Sequence, residues 1–449
     1  MISLDLMKKY DVPAPRYTSY PTVPYWDTSP TTTQWITELK RAFSKPSATW
    51  ALYLHLPFCE TLCTFCGCNT SITKDHKRED AYIELIHKEL AHYRNELGEG
   101  AFDKPLEELH LGGGTPTFFS SQNLEKLLTP ILEQTHKSAK IEKSIEVDPR
   151  RTNVEQLKVL RQLGFNRVSM GVQDFDPEVQ RLVNRTQPFE MTARLTQGAR
   201  DLGYDSVNFD LIYGLPKQTL ESMTATIKKT IELRPDRIAL YSYAHVPWIK
   251  PSQRLFTEAD LPVAAEKRRL YEVGRQSLIE AGYAEIGMDH FALKTDGLYL
   301  ADKENTLHRN FMGYTNRRTD ILLGLGVSSI SEAPTCFHQN DKVLSVYDRR
   351  VKAGEIPTFR GHLLTGEDIE AREQILELMT KWKTILKENQ KEDIRSFLEP
   401  LIKDGFVCLD DQTLSITDQG RPFLRNACMA LDRRLRAKAP QTKIFSQSL

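Results

Sequence analysis

Between Trp50 and Tyr243 the chain alternates two kinds of segment, and this alternation constrains the fold more than any other feature. Short β-rich runs at 50–56, 106–112, 143–147, 166–172, 206–212 and 237–243 are separated by longer charged runs of helical period. The predicted helices cover 76–97, 121–136, 153–163, 190–202 and 219–233, and a further one covers 263–281. Strand followed by helix, repeated, means parallel strands joined by right-handed crossovers, hence an α/β fold. Six such units are too many for one mononucleotide-binding half. They suit a barrel, one that need not close with eight strands. The chain has 449 residues, enough for a barrel and a second unit.

The flanks read differently. Residues 1–35 are rich in Pro, Thr and Tyr with little periodicity and read as an extended arm. Residues 283–335 mix strand and loop. Within 366–427, IEAREQILELMT and KEDIRSFLEPLIKDG are amphipathic helices and FVCLDDQTLSIT resembles a hairpin. The expected division is an arm over 1–45, a barrel with its extension over 46–335, and a small, mostly helical C-terminal domain over 336–449. The basic tail Arg433, Arg434, Arg436, Lys438 reads as a frayed, solvated end.

Charge and hydropathy remove several classes. Lys plus Arg and Asp plus Glu are 60 each, so the net charge is zero. That opposes a nucleic-acid protein held by bulk positive charge. No run reaches the ~18 apolar residues of a membrane span, and the first twenty residues lack the apolar core of a signal peptide. A cytoplasmic protein is the expectation.

Four of the seven cysteines, Cys59, Cys63, Cys66 and Cys68, lie within ten residues directly after the first strand. Disulfide scaffolds spread their cysteines through a short chain, so a clump in a long one reads as a metal or cluster site. Cys59, Cys63 and Cys66 have the spacing C-x3-C-x2-C. Three thiolates on a four-iron cluster would leave one iron open to a substrate or cofactor. A four-cysteine zinc site including Cys68 is the competing reading, but zinc ligands more often come as two separated C-x2-C pairs. Cys336, Cys408 and Cys428 read as ordinary.

In parallel α/β barrels the chemistry sits at the C-terminal ends of the strands. The residues found there are the cysteine loop, Gly112-Gly113-Gly114-Thr115, Glu146, Gln173, Asp210, and Tyr243-Ala244-His245. The glycine run is neither a P-loop nor a dinucleotide fingerprint; it reads equally as a tight turn or as a close approach to a ligand. Gly324-x-Gly326-x-x-Ser329 reads as a turn. Tyr53 alternates with Leu52 and Leu54, which can point it into the barrel. Glu146, Asp210 and Arg185 could equally be structural charges, and His245 and His308 satisfied polar groups.

The motifs PRYTSYPT, YLHLPFCETLCTFCGCNT, HLGGGTPT, SIEVDPR, SMGVQDF, VNR, FDLIYGLPKQT, YAHVP and HRNFMGY resemble those of the oxygen-independent coproporphyrinogen III oxidases, a family of the radical S-adenosylmethionine (radical SAM) superfamily. They run in family order from residue 15 to about 335. The arm and Cys68 separate the chain from the superfamily's haem chaperones. The resemblance implies a partial (β/α)6 radical-SAM, TIM-like barrel with a helical C-terminal domain, and a [4Fe–4S] cluster on Cys59, Cys63 and Cys66. It implies two molecules of S-adenosylmethionine. The first would contact Tyr53, Gly113, Glu146 and Ile330, and the second Phe65, Gly114, Thr115, Gln173, Arg185, Asp210 and Ala244. Tyr53, Glu146 and Cys68 are the catalytic candidates. The family often has Gln where this chain has Met312, and Met offers no amide hydrogen bonds.

The implied reaction is oxidative decarboxylation of two propionates of coproporphyrinogen III to vinyl groups, giving protoporphyrinogen IX in haem biosynthesis. Arg16 and Arg309 are candidate partners for the substrate's carboxylates. The expected partners are this substrate and an electron donor such as flavodoxin or ferredoxin, with no nucleic acid and no membrane span, and the chain acting as a monomer. The alternatives are a haem-binding chaperone of the same superfamily and a radical SAM methyltransferase acting on a porphyrin.

Overall fold

The computed structural model describes residues 3–438, 440 and 444–448. Its centre is a twelve-stranded sheet. In chain order the strands are β1 (Trp50–Leu56), β2 (Leu106–Gly113), β3 (Lys137–Val147), β4 (Arg167–Gln173), β5 (Ser206–Tyr213), β6 (Arg237–Ser242), β7 (Tyr283–Ile286), β8 (His290–Leu293), β9 (Ile321–Leu325), β10 (Ile330–Ala333), β11 (Cys336–Asn340) and β12 (Thr358–Leu363). Across the sheet the order is β12-β11-β10-β9-β1-β2-β3-β4-β5-β6-β8-β7.

The six expected strands are present and pair in parallel, each with the next. A seventh parallel strand, β9, lies on the other side of β1, with Tyr53 opposite Gly324. The Gly-rich end of β9, Gly324-x-Gly326, reads from the sequence as a tight turn. Antiparallel strands extend both ends: β8 and β7 beside β6, and β10, β11 and β12 beyond β9. The sheet is therefore a partial barrel with two different edges, in agreement with the expected class.

The helices Arg78–Leu97, Ser121–Glu133, Val154–Gln162, Phe189–Asp201, Leu220–Leu233 and Ala264–Glu280 bury apolar stripes in the one large core that the strands also fill. Local chemistry starts several of them. Ser120 accepts from the Asn123 N–H, and Asn153 with Gln156 and Thr219 with Ser222 form reciprocal caps. In β1 every residue except Tyr53 is buried, the pattern of a strand covered on both faces.

Three expectations are corrected. The arm is not extended throughout: Leu4–Tyr10 and Thr32–Phe43 are helices, the second capped by Thr31 and Gln34 and burying Trp35, Ile36, Leu39, Ala42 and Phe43. Residues 336–363, expected in the C-terminal unit, add β11 and β12 to the main sheet. The arginines of the basic tail are tied down, although Lys438 is exposed. Arg434 pairs with Asp368 at 2.8 Å, Arg433 with Glu370 at 3.3 Å, and Arg436 with Asp393 at 2.8 Å. The Lys438 carbonyl accepts from Tyr25 Oη.

Beyond β12 the helices Gly366–Lys381, Glu388–Lys403 and Leu424–Leu431 pack with a three-stranded sheet. The expected hairpin is Val407–Asp410 against Thr413–Ile416. Tyr10, Tyr17 and Tyr20 of the arm are buried in this unit's core, not in the barrel's. Cys336 and Cys428 are buried and Cys408 is exposed.

Candidate active site

The cysteine loop is fastened at both ends. Phe58–Cys59 pairs in parallel with Ser71–Ile72, and the Thr73 N–H donates to the Cys59 carbonyl. The glycine loop after β2 is then stitched onto it: Gly114 N–H donates to the Leu56 carbonyl (2.8 Å) and Thr115 N–H to that of Phe58 (2.9 Å). This resolves the glycine run. A Cβ at Gly114 would lie 2.6 Å from the Pro57 backbone, and one at Gly113, where φ is +114°, 2.9 Å from the His55 ring. The glycines are required because two loops of the protein touch there.

Cys59, Cys63, Cys66 and Cys68 line one cavity of about 160 Å3 at the strand ends. The Cys59 thiol lies 3.3 Å from Thr115 Oγ1, and burial pushes it up to about 11. A hydrogen bond with Cys68 holds Cys66 below the usual thiol range. Cys63 receives two guanidiniums, Arg150 Nη2 at 3.4 Å and Arg185 Nη1 at 3.5 Å. Asp148 ties both arginines, at 2.7 and 3.2 Å. Among the described residues no three His, Cys, Asp or Glu side chains converge as ligands of a single metal ion. Thiolates that each bind a different iron of a four-iron cluster need not converge so closely.

The same cavity is lined by Phe65, Gly113, Gly114, Thr115, Glu146, Gln173, Arg185 and Asp210, eight of the residues singled out as cofactor contacts. A deeper cavity of about 210 Å3 shares Glu146, Gln173 and Asp210 with it and reaches His110, Arg167 and Met312. Glu146 opens into the cavity with its side chain about half exposed; partial desolvation opposes its charge, but His110 and the Gly113 N–H outweigh this and hold the carboxyl below its usual value. Burial and the Glu146 charge raise Asp210, despite hydrogen bonds from Ser169 (2.9 Å) and Asn208 (3.1 Å). Gln173 has φ of +68° at a register shift between Gly171 and Gln173, which re-aims its side chain at the strand end.

Tyr53, Ala244 and Ile330 line neither cavity. Tyr53 stands beside them, its ring stacked on His110 (5.9 Å between centroids) and its hydroxyl 3.1 Å from His55 Nδ1. The Ala244 carbonyl accepts from Gln253, which also bonds the Phe65 carbonyl. The Ile330 carbonyl abuts Gly324. Arg16, Arg309, His245 and His308 also lie outside both cavities. Arg16 donates to the Ser242 carbonyl, Arg309 covers the Tyr314 ring, and His245 meets Tyr243 Oη. Gly326, with φ of +100°, makes the expected turn.

Sequence reasoning missed Asp148, Arg150, His55 and His110. All four stand inside strings already notable, SIEVDPR, YLHLPF and HLGGGTP; their roles needed the pairing of neighbouring strands.

The donor set fits an iron–sulfur cluster with a charged small molecule beside it. Three thiols and two guanidiniums meet at the mouth, and buried Arg185 Nε has no hydrogen-bond partner among the described residues. Comparisons with known proteins agree. Residues 53–230 match the radical SAM superfamily. The chain is 41% identical to the oxygen-independent coproporphyrinogen III oxidase of Salmonella typhimurium, covering 97% of this chain and 96% of that one. It is 38% identical to that of Pseudomonas aeruginosa, covering 96% and 95%. The solved coproporphyrinogen III oxidase HemN from Escherichia coli, described as a radical SAM enzyme, superposes with a TM-score of 0.90 at 39% identity, covering 97% of this chain and 99% of that one. A cysteine-lined strand-end cavity and likeness over nearly the whole length of both partners lead to one assignment: the chain belongs to the oxygen-independent coproporphyrinogen III oxidase family of the radical SAM superfamily.

Proposed function

We propose that the chain is an oxidoreductase that converts coproporphyrinogen III to protoporphyrinogen IX without oxygen, by oxidative decarboxylation of two propionates to vinyl groups, a step of haem biosynthesis. The observation that carries this is 41% identity over 97% of the chain to an enzyme of that name. A [4Fe–4S] cluster and S-adenosylmethionine, when bound, supply an electron and the 5′-deoxyadenosyl radical that takes hydrogen from the propionate.

The protein's part is to bind, orient and exclude water. Cys59, Cys63 and Cys66 would hold the cluster. Arg150 and Arg185, locked by Asp148, place positive charge beside the Cys63 sulfur. Glu146, kept ionised by His110, would accept hydrogen bonds from a methionyl amino group, and Tyr53, Gly113 and Ile330 would complete that site. Two S-adenosylmethionine molecules are accommodated, the second by Phe65, Gly114, Thr115, Gln173, Arg185, Asp210 and Ala244. The two cavities that meet at Glu146, Gln173 and Asp210 support this count. Cys68 acts beside Cys66 as a catalytic thiol. The enzyme works as a cytoplasmic monomer fed by flavodoxin or ferredoxin.

An anaerobic assay with coproporphyrinogen III, S-adenosylmethionine and dithionite tests the reading. Protoporphyrin after oxidation, with 5′-deoxyadenosine, is the expected result. Methylated porphyrin would make the chain a methyltransferase. Stoichiometric haem binding without turnover would make it a chaperone.

A further inference from the structure

Resting on that function, we propose that the outer face of the cysteine loop docks an acidic one-electron carrier of the flavodoxin type, through a basic and apolar patch built by four separate segments.

Electron transfer slows steeply with distance, so a carrier must reach the surface nearest the cluster. Cys68 and Asn69 follow Cys66, the last predicted cluster ligand, in the loop. Two segments are tied to the loop at this point. Lys250 Nζ donates to the Cys68 carbonyl at 3.0 Å, and Asn69 Nδ2 donates to the Lys342 carbonyl at 3.0 Å. Phe359 follows, with Lys342 Nζ 5.9 Å and the Arg360 guanidinium 5.5 Å from its ring. Lys342 lies close enough to Arg360 and Lys250 for each to lower its pKa, behind the larger effect of burial. Among the described residues none of the three has a carboxylate within ion-pair distance.

The apolar residues on the same segments are also unusual. Ile72, Trp248, Ile249, Val343 and Phe359 are all between 42% and 58% exposed. Large apolar side chains left in water beside unpaired cations make the kind of surface that small, transient electron-transfer encounters use. The cations attract an acidic partner and raise the association rate, and the apolar centre gives the short-lived contact. The transfer moves one electron: the carrier is oxidised by one and the cluster reduced by one.

The test uses cluster-loaded enzyme, reduced flavodoxin and the double variant Lys342→Glu/Arg360→Glu. Flavodoxin-supported kcat/KM is expected to fall about ten-fold or more, with loss of its salt dependence. Titration calorimetry at low salt should show the same loss of flavodoxin binding. Turnover with dithionite should stay within about two-fold of wild type, a small rim effect. Unchanged flavodoxin binding would overturn the proposal. So would an equal loss with dithionite through a raised coproporphyrinogen KM, which would make the patch an entrance for the tetracarboxylate. Dithionite turnover by the wild type tests the enzyme's function separately.

Discussion

His110 Nε2 lies 3.3 Å from Glu146 Oε1, while the other ring nitrogen of His110 meets Ser144 Oγ at 2.7 Å. The ring thus ties a strand-end carboxylate to a side chain two residues below it on β3. Replacing His110 with Phe removes a charge-assisted bond of about 1.5–3 kcal/mol, so S-adenosylmethionine should bind about ten- to hundred-fold more weakly. Iron content should not change. Glu146 is held below its usual value in part by His110; in the variant its carboxyl rises. The ionised form prevails above the pKa, so the acid loss of S-adenosylmethionine binding should begin at higher pH than in wild type. Binding measured by equilibrium dialysis against pH checks both outcomes.

Cys59→Ala, Cys63→Ala and Cys66→Ala should each lose the cluster and all turnover. Cys68→Ala should keep the iron and the cluster absorbance but lose turnover. Iron and sulfide analysis after anaerobic reconstitution separates the three from the one. An iron-free Cys68→Ala protein would make Cys68 a structural ligand instead.

Gly114→Ala forces a Cβ to within 2.6 Å of the Pro57 backbone. Backbone cannot step aside as a side chain can, so the two loops must part. The expected cost is about 1–3 kcal/mol of stability, read by denaturant unfolding of the apoprotein. Cluster incorporation should fail with it, because the Thr115 contact to Cys59 depends on the same seam.

Glu89 is fully buried beneath the turn after β9, accepting from the Gly326 N–H (2.8 Å), Asn340 (2.6 Å) and Tyr347 (2.7 Å). Burial pushes its carboxyl up to about 7, against those hydrogen bonds. The folded state therefore holds a proton that the unfolded chain releases near pH 4.3. Stability from this site is greatest below the unfolded value and is lost as pH rises to about 7. Glu89→Gln should flatten this fall, seen as a smaller decline in Tm between about pH 5 and 8 than in wild type.

What could be read from the sequence follows from range. The six parallel strands repeat a local pattern, and the candidates at their ends fall where parallel topology puts chemistry, so Glu146, Gln173 and Asp210 were found without a template. The helix Thr32–Phe43 carried a legible signal, apolar residues at 35, 36, 39, 42 and 43 behind a Thr31–Gln34 cap, but it lay in a stretch dominated by Pro and Tyr. Strand β9 was hidden because Gly324 and Gly326 read as a turn; Gly324 is needed in the strand because Ile330's carbonyl would lie 2.5 Å from any Cβ there. Asp148 and Arg150 could not be assigned at all. Their role depends on Arg185, 37 residues beyond Asp148, arriving at the same sulfur.

Tyr10, Tyr17 and Tyr20 share their core with Leu378, Leu398 and Leu424. On the ribosome this joins residues made before the barrel and residues made after it into one folding unit. Until residues 366–431 have emerged, the arm's tyrosines have no pocket to enter, and the barrel must form with its leading segment loose. Stalled nascent chains ending before Gly366 should thus be cut by protease between Tyr10 and Tyr20 while their barrel resists, and released full-length chains should resist at both places. Emergence of residues 366–431, more than completion of the barrel, then becomes the event that seals the arm.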